Sequence, residues 1–398
     1  MRIFFICRRV PFPPDRGDKI ATFNEIRHLS AQHEVHVFCL GDGARDLDNI
    51  AGLSEYAKSV TAVPVSGLTI KVRALKALIM GQPLSVAALD EAKLHGAIQR
   101  KFAELGPDLV IVYSCNVAQF AGHFPHVPRI MQFGDLDSLK WHQYAERSRI
   151  PLKWIYAMEG RRLLSYERLI AHSFSQALLH TEMERLDFQR LVPGVPVALV
   201  GNGVDLDYFR SAASAKRPSS MVFTGVMDYR PNVDGVVWFC NEILPIVRAE
   251  IADANFTICG SRPVRSVRRL ERLSGVTVTG WVPDTRPYLD RSEVFVAPLR
   301  IARGIQNKLL EGLAMGLPCV ASAAAWSGTQ IPRGEGIFAT GDPRQFAEYV
   351  IQLLRDPKWR AEMGRRARAV AEANYRWETQ MARLDQVIAA ATRSHCRP

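Results

Sequence analysis

The sequence predicts an α/β fold built from two doubly wound domains. Short apolar runs alternate with helical stretches along most of the 398 residues, a pattern typical of parallel sheets connected by helices. This alternation occurs in two series, separated at 211–220 by a segment rich in serine and alanine that also contains lysine and proline. With 47% apolar residues, the chain can bury two cores. We therefore predict domains at 1–204 and 205–374, followed by a helical tail at 375–398 that crosses back to the first domain.

The first series contains seven apolar runs that we interpret as strands. Helical stretches such as 18–32 and 91–105 separate them, as expected for the crossover connections of a parallel sheet. The predicted strands are 2–7, 33–40, 59–65, 108–113, 128–132, 173–179 and 195–200.

The second series repeats the pattern with five predicted strands and three predicted helices. Doubly wound sheets bind ligands at the carboxyl ends of their strands, so we expect a ligand cleft where two such domains face each other. The predicted strands are 221–224, 255–259, 276–279, 294–298 and 319–321, and the helices are 232–248, 264–273 and 305–315.

The segment from Val294 to Ser322 has the features of an anion site. It combines an apolar strand, a loop containing Gly304 and a helix whose first amides would point at a ligand. Lys308 and Glu311 share one helix face, offering a cation for phosphate and a carboxylate for a ribose diol. The alternative is a surface ion pair worth roughly a few tenths of a kcal/mol, because any doubly wound domain contains such βαβ units.

Residues 308–320 resemble the second half of the nucleotide-sugar signature of glycosyltransferase family 4. Upstream, 201–205 resembles the hinge of that family, and 223–232 resembles the opening of its second domain. The resemblance is closest to the sugar transferases of exopolysaccharide loci and of the PEP-CTERM sorting system. Arg303 occupies the position where the family usually has its first glutamate, so the role of that glutamate is not carried over.

The resemblance implies a GT-B fold and a retaining glycosyltransferase of the hexosyltransferase type. The donor would be a nucleoside diphosphate sugar of the UDP or GDP type, and the acceptor a lipid-linked glycan or saccharide in cell-surface glycan synthesis. Such enzymes need no metal and no further cofactor. The catalytic residues would be Arg230 and Lys308, which stabilise leaving-group charge, and Asp135, which follows a strand and contacts donor or acceptor. A turn or a helix cap is the alternative role for Asp135.

The predicted donor-binding residues occupy loops at the carboxyl ends of the strands. Gly17 opens a helix after the first strand, where the backbone can approach the donor. A plain proline-rich loop is the alternative there, and interdomain packing is the alternative for Trp281. The complete set is Gly17, Asn232, Gly260, Arg262, Trp281, Val282, Arg303, Gly304, Ile305, Gln306 and Glu311.

The net charge of +11 indicates an anionic partner. Basic and aromatic residues alternate between Arg147 and Arg168, as in segments that lie on acidic lipid, although a solvated helix face has the same composition. We expect no nucleic-acid partner, because no zinc finger, helix-turn-helix or RNA-binding signature is present. No apolar run approaches the roughly 18 residues of a membrane helix, and no signal peptide is evident. We therefore expect a cytoplasmic protein, peripheral on the inner face of the membrane.

Two other functions are consistent with the sequence. A sugar-nucleotide 2-epimerase shares the two-domain arrangement and binds the same donor diphosphate. A non-enzymatic membrane- or nucleic-acid-binding protein is the second alternative, supported mainly by Arg303 at the glutamate position.

Overall fold

The computed structural model describes residues 1–41, 46, 48–122, 124 and 126–395, and the chain divides into two compact units. Unit 1 comprises residues 1–200 together with the chain from Met381 onward. Unit 2 comprises residues 201–380. The last helix starts in unit 2 and continues into unit 1. Residues 396–398 of the predicted tail lie outside the described residues.

Unit 1 contains a parallel sheet with seven strands in the described part of the chain, in the order β3-β2-β1-β4-β5-β6-β7. In the register of its centre, Ile3 is paired with Val35 on one side and Leu109 on the other. These central strands are apolar on both faces because helices cover both. The strands are β1 (Arg2–Cys7), β2 (Glu34–Gly41), β3 (Ser59–Pro64), β4 (Leu109–Tyr113), β5 (Arg129–Gly134), β6 (Gln176–Leu179) and β7 (Val197–Leu199).

The helices of unit 1 connect these strands and cover the sheet. A short 3₁₀ segment, Cys115–Ala121, follows β4. The helices are α1 (Gly17–Ser30), α2 (Ile50–Ser54), α3 (Gly67–Met80), α4 (Leu84–Ala87), α5 (Ala92–Leu105), α6 (Asp137–Glu146), α7 (Leu152–Ser173) and α8 (Glu182–Leu191).

Unit 2 repeats the architecture with a six-stranded parallel sheet in the order β10-β9-β8-β11-β12-β13, counted over the described residues. The topology switches direction between β8 and β11, the point where doubly wound sheets bind ligands. The strands are β8 (Ser220–Thr224), β9 (Asn255–Cys259), β10 (Val276–Gly280), β11 (Val294–Ala297), β12 (Cys319–Ser322) and β13 (Ile337–Thr340).

The helices of unit 2 are more irregular than those of unit 1. The first is followed by a π-helical turn at Phe239–Ile243, and the third by a 3₁₀ turn at Arg269–Arg272. They are α9 (Arg230–Trp238), α10 (Leu244–Glu250), α11 (Arg265–Arg268), α12 (Arg286–Asp290), α13 (Asn307–Ala314), α14 (Ala323–Ser327), α15 (Pro343–Arg355), α16 (Pro357–Asn374) and α17 (Trp377–His395).

The predicted fold class is confirmed, since each unit contains a doubly wound parallel sheet. Several boundaries were predicted wrongly. The strand expected at 173–179 begins at Gln176, because α7 continues to Ser173. The helix expected at 305–315 begins at Asn307, because Gln306 still has extended backbone. The strand β13 was missed, since a run of four residues carries almost no periodic signal.

No helix among the described residues has both the length and the apolar character that crossing a bilayer requires.

Candidate functional site

Glycine turns at the carboxyl ends of β8 and β9 touch each other in unit 2. A Cβ atom added to Gly260 would lie 1.7 Å from the carbonyl oxygen of Gly225. The Gly225 amide donates a 3.0 Å hydrogen bond to the carbonyl of Cys259, which fixes the approach. Only glycine permits backbones this close, so the approach of the two turns requires glycine at Gly260.

A second close approach holds the loop after β11. Gly304 has a φ of 64°, a backbone conformation that favours glycine. A Cβ atom added to Gly328 would lie 1.9 Å from the carbonyl oxygen of Gly304. The Gln306 side-chain amide donates to the carbonyl of Arg303 at 2.9 Å. The loop is therefore folded against α14 before α13 begins.

The amino-terminal end of α13 is suited to an anion. Its N-cap residue, Gln306, makes no side-chain capping hydrogen bond to the first turn, counting the described residues only. The first amides of a helix have no intrahelical acceptor, and the helix dipole favours negative charge there. A phosphate group bound at this end would supply the missing acceptors.

Lys308 lies in this first turn and contacts the segment after β8. Its Nζ donates a 2.8 Å hydrogen bond to Oδ1 of Asn232 and lies 5.3 Å from the centre of the Phe223 ring. Asn232 is buried, and its amide nitrogen donates to the carbonyl of Val226 at 2.9 Å. Burial lowers the pKa of Lys308 to about 8. The ammonium is thus held at one place and is still charged at neutral pH.

Glu311 lies one turn further along α13 and is half-buried. Burial raises its pKa to about 7, against the opposing effect of the Lys308 charge. A cation and a carboxyl group with shifted pKa values therefore lie at one helix end beside the glycine turns. Shifted pKa values of this kind are frequent at functional sites.

Other residues of unit 2 that were predicted to bind the donor lie at the start of α9 and after β9 and β10. Arg230 is the first residue of α9, two positions before Asn232. Arg262 is exposed after β9, with a φ of 55° and a nitrogen 3.7 Å from a carboxylate oxygen of Asp228. Trp281 and Val282 follow the edge strand β10, and Trp281 is 74% exposed. The structure brings together Asn232, Gly260 and Lys308, each of which lies against Gly225.

Two further residues near α13 were not predicted as site residues. Gly225 meets both Asn232 and Lys308, since a Cβ atom there would lie 2.7 Å from the Asn232 amide nitrogen and 3.4 Å from Lys308 Cε. The buried Asn202 donates to the side-chain oxygen of Asn307 at 2.8 Å. Gly225 and Asn202 both lie in segments whose sequence resembles the family, and that resemblance is the sequence signal that could have identified them.

Gly17 and Asp135 belong to unit 1. Gly17 is the exposed first residue of α1, and the next residue, Asp18, pairs with Arg9 at 2.6 Å. Asp135 is half-buried and directly follows β5, after Gly134 with a φ of 71°. Asp135 thus lies at the carboxyl end of a strand, whereas Gly17 opens the helix that follows β1.

Asp137, the second acid of the Asp135-Leu136-Asp137 run, is used within unit 1. Its carboxylate accepts a 2.9 Å hydrogen bond from the Asn116 amide and pairs with Lys140. Burial alone would raise its pKa, but Lys140, Arg8 and Asn116 hold it below the usual value. Over the residues that the structure describes, no three histidine, cysteine, aspartate or glutamate side chains form a group that could hold a metal ion.

Comparison with known proteins finds a family model that matches part of unit 2. Residues 218–356 match the family model described as Glycosyl transferases group 1. The matched residues include Arg230, Asn232, Lys308 and Glu311.

Two curated relatives are mannosyltransferases. The chain is 27% identical over 217 residues to a GDP-mannose-dependent monoacylated alpha-(1-6)-phosphatidylinositol monomannoside mannosyltransferase from Corynebacterium glutamicum, which covers 48% of this chain and 56% of that protein. It is 28% identical over 211 residues to a phosphatidyl-myo-inositol mannosyltransferase from Propionibacterium freudenreichii, covering 50% and 52%. The chain therefore spans about half the length of these relatives.

Solved structures share the fold over nearly the whole chain. Sucrose-phosphate synthase from Thermosynechococcus elongatus superposes with a TM-score of 0.75 at 17% identity, covering 99% of this chain and 100% of that one. Anabaena Alr3699/HepE in complex with UDP gives a TM-score of 0.68 at 13% identity, covering 98% and 100%. At these identities the likeness shows the fold alone, and it confirms the predicted GT-B class.

Proposed function

We propose that the chain is a retaining glycosyltransferase, because residues 218–356 match the family model described as Glycosyl transferases group 1. It moves a hexose from a nucleoside diphosphate sugar of the UDP or GDP type to a lipid-linked or saccharide acceptor. The observation that carries this proposal is the placement of Lys308 at the start of α13, fixed by Asn232 beside the paired glycine turns.

The donor diphosphate binds at the amino-terminal end of α13 in this proposal. The helix amides and the Lys308 ammonium face negative charge there, and positive charge is added by Arg230 at the start of α9 and by Arg303 in the loop after β11. Charge develops on the diphosphate as the glycosidic bond breaks, so groups fixed in advance stabilise the transition state. Glu311 accepts hydrogen bonds from both ribose hydroxyls, and Gly260 allows the nucleotide to approach the backbone.

The relatives support a nucleotide-sugar donor without fixing its base. One curated relative is named as GDP-mannose-dependent, whereas the Anabaena neighbour was solved with UDP. The names of both curated relatives describe lipid-linked acceptors built on phosphatidylinositol. A lipid-linked acceptor agrees with these names, and a role in exopolysaccharide or other cell-surface glycan synthesis is part of the proposal. The proposal keeps Asp135 as a residue that contacts donor or acceptor.

We further propose that the enzyme works in the cytoplasm, peripheral on the anionic inner face of the membrane. The basic and aromatic segment 147–168, most of which lies in α7, supports this. The structure changes the role of one arginine in this segment, Arg162. Arg162 is half-buried and donates hydrogen bonds to the backbone carbonyls of Leu78 and Gln82 at 3.2–3.3 Å, so it fixes neighbouring helices.

Product analysis tests the proposed activity. The protein is incubated with a panel of UDP and GDP sugars and with lipid-linked or saccharide acceptors, and products are identified by mass spectrometry. We expect transfer of one hexose from one donor, with retained configuration at the anomeric carbon. Formation of an epimer from donor alone would instead establish the 2-epimerase, and binding of no nucleotide sugar would support a non-enzymatic role.

A further inference from the structure

The helix α3 exposes a continuous apolar stripe. Leu68, Val72, Leu75 and Ile79 are separated by four, three and four positions, so they share one helix face. Their exposed fractions are 74%, 60%, 62% and 83%. Single exposed apolar residues are common on protein surfaces, but four large ones in a row indicate an interaction surface.

The opposite face of α3 is anchored in unit 1. Ile70 packs against the core, and Ala77 is buried. Arg73 pairs with Glu91 at 2.8 Å, and Arg162 of α7 holds the carboxyl-terminal end through the Leu78 carbonyl. The helix is thus fixed in its orientation, and the apolar stripe is directed away from the core.

The charges on α3 suit an anionic surface. The helix contains Lys71, Arg73 and Lys76 and no acidic residue. With about 3.6 residues per turn, Lys71 lies along one edge of the stripe and Lys76 along the other. Lysine side chains in this position extend along apolar surface and place the ammonium in water or among headgroups.

The start of α7 contributes similar residues. Ile150, Leu152 and Trp154 are 62%, 49% and 66% exposed, and Lys153 lies among them. Because Arg162 of α7 contacts the end of α3, the two helices are neighbours. Exposed tryptophan next to lysine is typical of surfaces that lie at the boundary between lipid and water.

We propose that α3 is the element that docks this chain on an anionic bilayer, with Leu68, Val72, Leu75 and Ile79 inserted among the headgroups. A bilayer with acidic lipids satisfies both the apolar stripe and its lysine edges. A second copy of α3 would instead bring Lys71 and Lys76 against their own equivalents, with no acidic residue on the helix to pair with them. The inference rests on the proposed function, because docking of α3 would bring the enzyme to a lipid-linked acceptor.

Vesicle sedimentation tests the inference without donor or acceptor present. The vesicles contain equal parts of phosphatidylglycerol and phosphatidylcholine, at low salt. We expect the double variant Leu75→Glu/Ile79→Glu to lose about ten-fold or more in vesicle affinity, because two carboxylates enter the apolar region. Leu186→Glu is the matched control, since Leu186 is 56% exposed on α8, between β6 and β7 at the opposite sheet edge from β3.

The charges are tested separately by Lys71→Gln/Lys76→Gln. This variant should bind the same vesicles more weakly than the wild type, and the difference should shrink as salt is raised. Circular dichroism spectra and nucleotide affinities equal to those of the wild type would show that the variants are folded.

Three results would overturn the inference. The wild type fails to sediment with the anionic vesicles, or Leu75→Glu/Ile79→Glu sediments as the wild type does. The third is a dimer in analytical ultracentrifugation that Ile79→Glu dissociates, which would assign the stripe to a second copy. Failure of the proposed function is distinguishable, because calorimetry with UDP and GDP in the absence of vesicles measures donor binding independently.

Discussion

Lys308 Nζ donates a 2.8 Å hydrogen bond to Oδ1 of Asn232, and this contact joins the start of α13 to the first turn of α9. The two residues are 76 positions apart. They meet because β8 and β11, the strands that precede them, are neighbours in the sheet. Asn232 is in turn fixed by its bond to the Val226 carbonyl. Lys308, the cation proposed to bind the donor, is therefore positioned by a buried amide.

Asn232→Ala should weaken donor binding because Lys308 loses the acceptor that orients it. We expect about a 5- to 30-fold higher Kd for the donor nucleotide, corresponding to one lost charge-assisted hydrogen bond. Isothermal titration calorimetry measures the change. Asn374→Ala, on the exposed end of α16, is the control and should bind as the wild type does. An unchanged Kd in folded Asn232→Ala would show that Lys308 needs no support.

Glu311→Ala should weaken donor binding by roughly 2–4 kcal/mol, since two hydrogen bonds from the ribose to a partly buried carboxylate are lost. Glu348→Ala, an exposed change on α15, is the matched control. Donor affinity measured for both proteins decides the role. If Glu311→Ala is folded and binds normally, the carboxylate is a surface group without a ligand.

Donor affinity should depend on pH with a maximum between about 7 and 8. The pKa of Glu311 is raised to about 7, so the carboxylate that accepts two hydrogen bonds forms only above that pH. The pKa of Lys308 is lowered to about 8, so the ammonium is lost above it. Affinity therefore rises through the first value and falls through the second. In Glu311→Gln the acidic limb should disappear, and its persistence would assign that limb to another group.

The paired glycine turns should be sensitive to any side chain. In Gly260→Ala the new Cβ atom would lie 1.7 Å from the Gly225 carbonyl oxygen, so one backbone must move. We expect a loss of about 1–3 kcal/mol in the free energy of unfolding, together with weaker donor binding. Gly96→Ala in α5 is the control, because its nearest neighbour is the end of the Arg100 side chain at 3.4 Å. Equal stability of the two variants would contradict the tight approach.

The carboxyl group of Glu25 should make stability depend on pH. It is buried on α1, accepts a 2.6 Å hydrogen bond from Gln132, and has its pKa raised by burial from 4.5 to about 8. The folded state therefore keeps this proton while the unfolded state releases it, so stability falls as pH rises from about 4.5 to 8. The free energy of unfolding of Glu25→Gln should exceed that of the wild type by up to a few kcal/mol at pH 8, and by little at pH 4.5. Melting curves at both pH values check this, and an equal difference at both would refute it.

The sequence was sufficient to predict every strand of the two sheets except β13, and the positions of Lys308 and Glu311, because those depend on local periodicity and on a short motif. It was not sufficient to predict that Lys308 meets Asn232, since that contact depends on which strands become neighbours. The approach of Gly225 to Gly260 has the same origin. The stripe on α3 was missed because apolar residues occur on every side of that helix, so the pattern does not tell which face is buried.

Calorimetric titration of UDP and GDP into the wild type, Lys308→Gln and Lys358→Gln tests whether the donor binds at the start of α13. Lys358 is exposed on α16 in the same unit, so it is a matched control for the loss of one lysine. We expect one nucleotide to bind the wild type and Lys358→Gln alike, and to bind Lys308→Gln at least about ten-fold more weakly. Binding of neither nucleotide to the folded wild type, or equal binding to all three proteins, would contradict a donor site at the start of α13.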